Sequence, residues 1–311
     1  NLSNAGFSGQ VPMEISQLIK LETLDLSSNS DYLGLSTTKL ENPTLGMLIQ
    51  NLSHIRELLL DGVIITANGS ELWKELASSV PRLQVLSLSN CNLSDDIDPS
   101  LEKLQSLSEI ILAQNNFSMP VPEFLANFAN LTVLKLSSCQ LTGTVPRRIL
   151  QVSTLRTLDL SYNTALQGSL PEFPANGSLQ NLILSYTRFS GQLPKSIGNL
   201  KQLNRIELQN STFSGLIPSS VAGLNQLGHL DFSDNNFSGP IPSFSAARNL
   251  TYLDLSKNML SGTLSSTDWG RLSNLVSLDL SSNSLIGSIP VDLFSLPSLR
   301  KLQLGENKFG G

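Results

Sequence analysis

The chain has 311 residues, of which 40% are hydrophobic and 14% are charged, and its formal net charge at pH 7 is −5. This balance argues against a nucleic-acid-binding surface, which needs clustered positive charge. No apolar run approaches the roughly 18 residues of a membrane-spanning helix. The two histidines, His54 and His229, lie too far apart in the sequence to build a zinc site.

A leucine repeat with a period of 24 residues organises most of the chain. Each unit reads L-x-x-L-x-L-x-x-N, as at Leu155, Leu158, Leu160 and Asn163. This motif is the leucine-rich repeat signature, so the predicted fold class is a leucine-rich repeat solenoid, an α/β superhelix. Alternating polar and apolar residues predict one strand per repeat, and stacked strands form a parallel sheet on the concave face. Short helical turns are expected on the convex face.

About twelve repeats and one partial copy fill residues 1–311, which we predict to form one leucine-rich repeat domain. After the partial copy at Leu2, the repeats open at Leu21, Ile55, Leu83, Leu107, Leu131, Leu155, Leu179, Leu203, Leu227, Leu250, Leu275 and Leu299. Because the chain starts and stops within a repeat, we expect it to be a fragment of a longer ectodomain, with its caps and anchor elsewhere.

The first repeats are irregular, within residues 21–82. Two intervals of 34 and 28 residues precede Leu83. Residues 30–43 are predicted to form a long loop, which is either functional or, as we favour, an elongated connector on the convex side. Apolar residues at helical spacing predict a convex helix over Glu71–Ser79.

A polar residue follows most of the predicted strands. Its amide is expected to satisfy backbone groups of neighbouring turns, and it is Asn29, Asn115, Asn163, Asn235, Asn258, Asn283 and Asn307. Cys91 and Cys139 occupy the same position two repeats apart. Strands pair about 4.8 Å apart, so the two Cα atoms should be roughly 9–10 Å apart, beyond the ~7 Å limit for a disulfide. We therefore predict two buried, unbridged thiols.

The second half of the repeat carries an L-x-G-x-[IVL]-P element, as at Phe237–Pro242. Glycine permits a tight turn, and proline is expected to end backbone pairing. The element resembles the plant-specific class of leucine-rich repeats, found in receptor kinases, receptor-like proteins and polygalacturonase inhibitors.

Residues 30–130 are similar to the Verticillium-wilt-resistance type of plant receptor-like protein, notably at Leu40–Pro43, Asp61–Val63 and Val121–Asn127. The resemblance implies an extracellular solenoid, then a transmembrane helix and a short tail without a kinase. It also implies signalling through partner receptor kinases, which would bind regions outside this chain.

Ten N-x-[ST] sequons predict an extracellular glycoprotein, and the resemblance implies that it lies at the outer face of the plasma membrane. They are Asn1, Asn51, Asn68, Asn92, Asn116, Asn130, Asn176, Asn210, Asn236 and Asn249. Some of them are by-products of the repeat consensus. Only Asn210 is expected near the strand face, with the others in turns, flanks or insertions.

We find no residue set for catalysis, and we predict no cofactor or metal. Serines belong to the repeat consensus, and no G-x-S-x-G element with triad partners stands out. Asp25, Asp159, Asp231, Asp254 and Asp279 share one strand position. They should form a structural row on a solvated face, not the paired acid and base of a glycosidase.

Ligand recognition is predicted on the outward, concave side of the strands, where residues depart from the Asp, Ser and Thr consensus. The candidates are Ile111, Lys135, Tyr162, Ile183, Tyr186, Arg205, Glu207, His229 and Tyr252. An alternative explanation is that β-branched and aromatic residues simply suit strands.

These features predict the ligand-recognising ectodomain of a plant cell-surface immune receptor-like protein, a binding protein and not an enzyme. A protein or peptide ligand should lie on the concave face across the repeats opening at Leu107 to Leu250, away from the N-linked glycans. Two alternatives stay open: a secreted leucine-rich-repeat inhibitor of microbial polygalacturonase, and the ectodomain of a leucine-rich-repeat receptor kinase.

Overall fold

The computed structural model describes residues 1–6, 8–28, 38–66 and 69–310, which fall into two compact units, Asn1–Ile149 and Leu150–Gly311. Each unit is a stretch of leucine-rich repeat solenoid, built around a parallel sheet of three-residue strands. The fold class predicted from the repeat is therefore confirmed. A single domain over residues 1–311 stays a prediction.

Within its described residues, the first unit has two parallel sheets. Its central strands are Thr23–Asp25, Glu57–Leu59, Val85–Ser87, Glu109–Ile111 and Val133–Lys135, paired in register. A second sheet contains Gly9–Gln10, Thr38–Leu40 and Ile64–Ile65. The helices are Leu45–Ile49 and Gly69–Ser79, with 3₁₀ turns at Met13–Gln17, Pro99–Lys103, Glu123–Asn127 and, at the boundary between the units, Ile149–Gln151.

The second unit repeats this plan more regularly. Its central strands are Thr157–Asp159, Asn181–Ile183, Arg205–Glu207, His229–Asp231, Tyr252–Asp254, Ser277–Asp279 and Lys301–Gln303. Its second sheet contains Gln167–Gly168, Arg188–Gly191, Thr212–Leu216, Asn236–Pro240, Met259–Gly262, Ser284–Gly287 and Lys308–Phe309. One α-helical turn, Ser219–Ala222, accompanies 3₁₀ turns at Lys195–Asn199, Leu264–Ser266, Trp269–Arg271 and Val291–Ser295.

The core follows directly from the repeat pattern. The middle residue of a central strand, such as Leu182, Ile206 or Leu230, is fully buried, while its two neighbours face away from the core. The second-half positions bury aromatic rings, and Phe213 stacks on Phe237 with ring centroids 6.3 Å apart. One repeat could not enclose these side chains alone, so the stacking of repeats creates the core.

The asparagine after the strand satisfies backbone groups of two adjacent repeats, as predicted. Asn115 Oδ1 accepts the N–H groups of Cys91 at 3.1 Å and Leu93 at 3.0 Å. Its Nδ2 donates to the carbonyls of Leu88 at 2.8 Å and Leu112 at 2.9 Å. Amides that also bond backbone carbonyls in this way are those of Asn163, Asn235, Asn258, Asn283 and Asn307. Asn29 lies outside the described residues.

Both cysteines are buried and unbridged, which confirms the prediction from their spacing. The Cys91 thiol donates to the carbonyl of Leu60 and the Cys139 thiol to that of Leu112, each at 3.1 Å. Burial raises the pKa of the Cys91 thiol far above its ordinary value, and the Asp61 carboxylate raises it further. These thiols therefore replace the asparagine as hydrogen-bond donors in their repeats.

Two sequence predictions about the irregular region fare differently. The predicted helix is confirmed and begins two residues earlier, at Gly69. The long loop over 30–43 is wrong for its second half, because Thr38–Leu40 is a strand of the second sheet. The helix Leu45–Ile49 follows it, capped by Thr44 Oγ1 at 3.3 Å from the Met47 N–H. Residues 30–37 lie outside the described residues.

The second sheet is the main feature that the sequence analysis missed. In the L-x-G-x-[IVL]-P element, Gly239 (φ 74°) was expected to make only a turn, and Pro242 to end backbone pairing. Pairing does end before Pro242, but Asn236–Pro240 is a strand that pairs in parallel with Met259–Gly262. Pro240, the last residue of its strand, is in register with Ser261.

Candidate ligand-binding surface

The outward side of the second unit presents two columns of side chains, one from each end of the three-residue central strands. The first outward column is Thr157, Asn181, Arg205, His229, Tyr252, Ser277 and Lys301. The second outward column is Asp159, Ile183, Glu207, Asp231, Asp254, Asp279 and Gln303. Because the strands are in register, residues of one column are neighbours from repeat to repeat.

The consensus aspartates of the second outward column are structural. Asp231 Oδ1 accepts the hydroxyl of Ser233 at 2.6 Å and its backbone N–H at 3.0 Å. The same clamp occurs at Asp25–Ser27, Asp159–Ser161, Asp254–Ser256 and Asp279–Ser281. Burial raises the pKa of Asp231, against the hydrogen bonds from Ser233, which lower it. These carboxylates accept hydrogen bonds from the turn that follows each strand and form the expected structural row. The solvated face expected for them is wrong for Asp25, Asp231 and Asp279, which are buried.

Besides the last repeat, where Gln303 stands, the clamp is missing in two adjacent repeats of the second unit, where Ile183 and Glu207 replace aspartate. In the second of these repeats Gln209 also replaces the serine. The N–H of Gln209 instead donates to Ser185 Oγ of the preceding repeat, at 3.1 Å. Ser185 is buried and has no aspartate two residues before it. Because Ile183 replaces aspartate, the Ser185 hydroxyl is available to accept the Gln209 N–H of the next repeat. The Glu207 carboxylate is then not needed for that turn and can bind other partners.

Glu207 binds two side chains of the first outward column. It forms an ion pair with Arg205 on its own strand, and its Oε1 lies 3.0 Å from Nε2 of His229 on the next strand. Burial works to raise the pKa of the Glu207 carboxyl, but the hydrogen bonds and charges of His229 and Arg205 outweigh it and lower the pKa. The side chain of Arg205 is 44% exposed and that of Glu207 only 18%, so the carboxylate lies beneath the guanidinium.

The contacts continue into the following repeat through an aromatic stack. The rings of His229 and Tyr252 are parallel within 5°, with centroids 4.3 Å apart. The Tyr252 hydroxyl donates to Asp254 Oδ2 at 3.2 Å. Burial and the surrounding carboxylates raise the pKa of Tyr252, which keeps the phenol protonated. We call Arg205, Glu207, His229, Tyr252 and Asp254 the Glu207 network. Asp254 was not among the predicted site residues. Its position two residues after Tyr252, on the same side of the strand, was the sequence signal for this contact.

Tyr162 and Tyr186 form a second feature, and their predicted placement was wrong. They do not occupy outward strand positions but lie in the turn after the strand, with φ of 56° and 57°. The corresponding residue of every repeat of the second unit has φ between 49° and 57°, and this turn column is Tyr162, Tyr186, Asn210, Asp234, Lys257, Ser282 and Glu306. The two tyrosine rings are stacked, with centroids 4.6 Å apart and planes within 11°. Tyr162 is 57% exposed.

The remaining predicted site residues lie apart from these two clusters. Ile183 is half-buried in the second outward column, directly in register with Glu207. Ile111 and Lys135 belong to the first unit, where they are adjacent, half-buried members of neighbouring central strands. The structure therefore brings together Arg205, Glu207, His229 and Tyr252, and separately Tyr162 and Tyr186.

The sequon asparagines within the described residues are all solvent-exposed. Asn210 belongs to the turn column and follows Tyr186 in it. Asn236 was expected in a turn or flank, but it opens a strand of the second sheet. Asn68 lies outside the described residues. Glycosylation of these sites remains a prediction.

The described residues contain no group of three or more His, Cys, Asp or Glu side chains placed to hold a metal ion. Nor does any helix in ranges 1–6, 8–28, 38–66 and 69–310 have the length and apolar composition needed to cross a membrane.

Comparison with known families places the chain in one class. Models of leucine-rich repeats match residues 81–127 (Leucine Rich repeats, 2 copies), 153–169 (Leucine Rich repeat), and 130–151, 178–200, 226–246, 249–270 and 274–296 (Leucine Rich Repeat). These ranges together cover more than half of the chain. The chain therefore belongs to the leucine-rich repeat proteins.

Within that class the chain is similar to plant receptor-like proteins. It is 33% identical to Receptor-like protein 6 of Arabidopsis thaliana over 214 residues, which cover 67% of this chain but 16% of that protein. The chain thus spans only a small part of this relative.

Solved structures with the same fold include plant receptor ectodomains. One is the ectodomain of the Arabidopsis thaliana membrane receptor kinase GASSHO1/SCHENGEN3, in complex with CASPARIAN STRIP INTEGRITY FACTOR 2. It has a TM-score of 0.84 and 32% identity, over 97% of this chain and 35% of that one. A TDR receptor has a TM-score of 0.79 and 26% identity, over 97% of this chain and 58% of that one.

Proposed function

We propose that this chain is the ligand-recognising part of a plant cell-surface immune receptor-like protein, of the Verticillium-wilt-resistance type, and that it is not an enzyme. It would face the apoplast as a glycoprotein, with its membrane anchor and its partner receptor kinases engaging regions outside this chain. Similarity to plant receptor-like proteins supports the class. The one receptor ectodomain described above in complex with CASPARIAN STRIP INTEGRITY FACTOR 2 supports a peptide or protein ligand.

The Glu207 network carries the proposal. The consensus aspartates of the second outward column already accept hydrogen bonds from their serines, so they have little hydrogen-bonding capacity left for a ligand. Arg205 has five N–H donors and spends part of them on Glu207, and its half-exposed guanidinium directs the rest toward solvent. A carboxylate or backbone carbonyl of a ligand fits that position.

Preorganisation makes this cluster suitable for binding. Glu207 holds Arg205 and His229 in place, and Tyr252 supports the imidazole ring from the next repeat. Side chains that are fixed before binding lose less conformational entropy when the ligand arrives. Arginine and tyrosine are also the residue types that dominate binding energy at protein interfaces.

The surface around the network supplies less polar contacts. Ile183 adjoins Glu207 in the second outward column. Tyr162 and Tyr186 line the edge of the sheet two and one repeats before Glu207. On the first unit, we propose the neighbouring Ile111 and Lys135 as ligand contacts.

A loss-of-response experiment tests the proposal. The complete reading frame should be expressed in leaves, which are then treated with fractions of fungal culture filtrate while the oxidative burst is recorded. Arg205→Ala should abolish the response to an active fraction, whereas Lys301→Ala should retain it, because Lys301 lies in the same column outside the proposed ligand span. An equal response from both variants would contradict the assignment.

Direct binding of a purified active component should give the same ranking. The Tyr162→Ala/Tyr186→Ala double variant should weaken binding by about 2–4 kcal/mol if these rings are anchors. Unchanged affinity would remove them from the site.

The two alternative functions make different predictions. A polygalacturonase inhibitor would lower the activity of a purified fungal polygalacturonase without any cellular partner. A receptor kinase would have a kinase domain in its complete reading frame. Either result would replace the receptor-like proposal.

A further inference from the structure

The turn column places an N-glycosylation sequon directly after two stacked tyrosines. Tyr162, Tyr186 and Asn210 occupy the same position of three consecutive repeats, with φ of 56°, 57° and 49°. Each N–H bonds to the following repeat in the same manner: Tyr162 to the carbonyl of Ser185 at 2.9 Å, Tyr186 to that of Gln209 at 2.8 Å, and Asn210 to that of Ser233 at 3.1 Å. Equivalent backbone geometry projects the three side chains in the same direction.

The ring stack runs along the column. The centroid separation of 4.6 Å between Tyr162 and Tyr186 is close to the roughly 4.8 Å between neighbouring parallel strands. Tyr162 therefore covers the face of Tyr186 that is directed toward the preceding repeat. The opposite face of Tyr186 is directed toward the following repeat, where Asn210 stands exposed.

Tyrosine is unusual at this backbone position. Left-handed backbone is uncommon for residues other than glycine, and among them asparagine and aspartate tolerate it best. The other members of the column are small or flexible polar residues: Asn210, Asp234, Lys257, Ser282 and Glu306. Two bulky aromatic residues in succession, ending at a sequon, need an explanation beyond the repeat consensus.

We propose that Asn210 carries an N-linked glycan whose first N-acetylglucosamine ring packs on the free face of Tyr186, as the third member of the stack. In the modification, Asn210 Nδ2 forms a bond to C1 of the sugar, and the C1–O bond to a lipid pyrophosphate donor breaks. The lipid pyrophosphate leaves, together with one amide proton. The sugar ring then presents a face of C–H groups to the aromatic ring, as in other aromatic contacts.

The root of this glycan is held firmly. Thr212, the third residue of the sequon, donates its hydroxyl to the carbonyl of Phe189 at 2.9 Å and opens the strand Thr212–Leu216. Between them, Ser211 Oγ donates to the carbonyl of Leu184 at 3.3 Å. A sugar fixed at this root and on Tyr186 would stay on the Asn210 side of the two rings, which leaves Tyr162 and the neighbouring Glu207 network open to a ligand.

Site-resolved deglycosylation tests the inference on the complete ectodomain, secreted from cells that make oligomannose glycans. Endoglycosidase H is added under native conditions, and the glycan remaining at each asparagine is followed by mass spectrometry of peptides. Asn249, an exposed sequon outside the turn column, is the internal control. The glycan at Asn210 should be released about 2- to 10-fold more slowly than that at Asn249, the range that one aromatic contact supports.

Matched variants assign the protection to the ring. Tyr186→Phe should keep it, and Tyr186→Ala should bring release at Asn210 to the rate at Asn249. Tyr162→Ala should leave most of the protection, since Tyr162 lies behind Tyr186. An unoccupied Asn210, or equal release rates at the two sites in the wild type, would overturn the inference.

A second measurement needs no variant. Complete removal of glycans from the native wild-type protein should speed the nitration of Tyr186 by tetranitromethane severalfold. Unchanged nitration of Tyr186 would also overturn the inference, because a stacked sugar must shield the ring. Both outcomes are independent of whether the network binds a ligand.

Discussion

Replacing Asn115 by leucine should be among the most destabilising single changes in the first unit. The residue is 5% exposed, and its amide bonds four backbone groups in two repeats at 3.1 Å or less. Leucine keeps the branching at Cγ but removes all polar atoms. The N–H groups of Cys91 and Leu93 then lose their acceptor, and the carbonyl of Leu88 loses this donor. The carbonyl of Leu112 keeps the Cys139 thiol at 3.1 Å.

The magnitude follows from the three groups left unpaired. Each buried, unsatisfied backbone group costs about 1–3 kcal/mol, and partial relaxation leads us to expect a loss of about 3–6 kcal/mol in the free energy of unfolding. That is a large part of the ~5–15 kcal/mol typical of a folded domain. Urea unfolding with linear extrapolation measures it.

Cysteine at the same position is the matched control. The thiol of Asn115→Cys can donate to the carbonyl of Leu88, as Cys91 does to that of Leu60, so this variant should lose clearly less stability than Asn115→Leu. The sequon at Asn116 is untouched in both. A loss below about 1 kcal/mol for leucine, or equal losses for the two variants, would refute the assigned role of the amide.

Three further outcomes are expected. Because the pKa of Glu207 is lowered from 4.5 on folding, the carboxylate stabilises the fold fully above pH 4.5, and this contribution disappears as the pH falls through the folded pKa. The difference in unfolding free energy between wild type and Glu207→Gln should therefore shrink in acid, and a difference that stays constant would contradict the ion pairs. Ser185→Ala should lower the free energy of unfolding by about 1–3 kcal/mol, because it leaves the Gln209 N–H unpaired. Ser281→Ala should cost less, because the Ser281 hydroxyl donates to Asp279 of its own repeat, and equal losses in urea unfolding would contradict the support between repeats. Cys91 and Cys139 should both resist a thiol reagent in the native protein and react after unfolding. A rapid reaction in the native protein would show that the reagent reaches the asparagine position of the repeat.

The central strands could be predicted because their signal is repeated and periodic. Each places one buried aliphatic residue between two outward residues, as Ile206 lies between Arg205 and Glu207, and stacking multiplies that signal over the chain. The second sheet has no such alternation. Its strands are two to five residues long and include glycine with positive φ, as at Gly239. They are stabilised by the neighbouring repeat and not by their own sequence, so local propensity does not reveal them.

The site could be predicted as a set of residues but not as a set of contacts. Arg205, Glu207 and His229 stood out because they depart from the consensus of their columns. Which of them meet depends on register and side-chain length, and only the structure supplies those. Tyr162 and Tyr186 were misplaced because a bulky residue is not expected in left-handed backbone. A repeat imposes its turn geometry on whatever residue occupies that position.

The departures in the repeats around Glu207 depend on one another. Aspartate in place of Glu207 would be expected to clamp back toward its own turn, as Asp231 does on Ser233, and would leave Arg205 and His229 without their shared carboxylate. Glutamate is one methylene longer and reaches His229 on the next strand. The abandoned turn is then supported at Gln209 by Ser185, which is free because Ile183 stands where its aspartate would be. Ile183, whose side chain has no polar atom, thus helps to position the charged cluster. A search for polar residues alone would have missed this contribution.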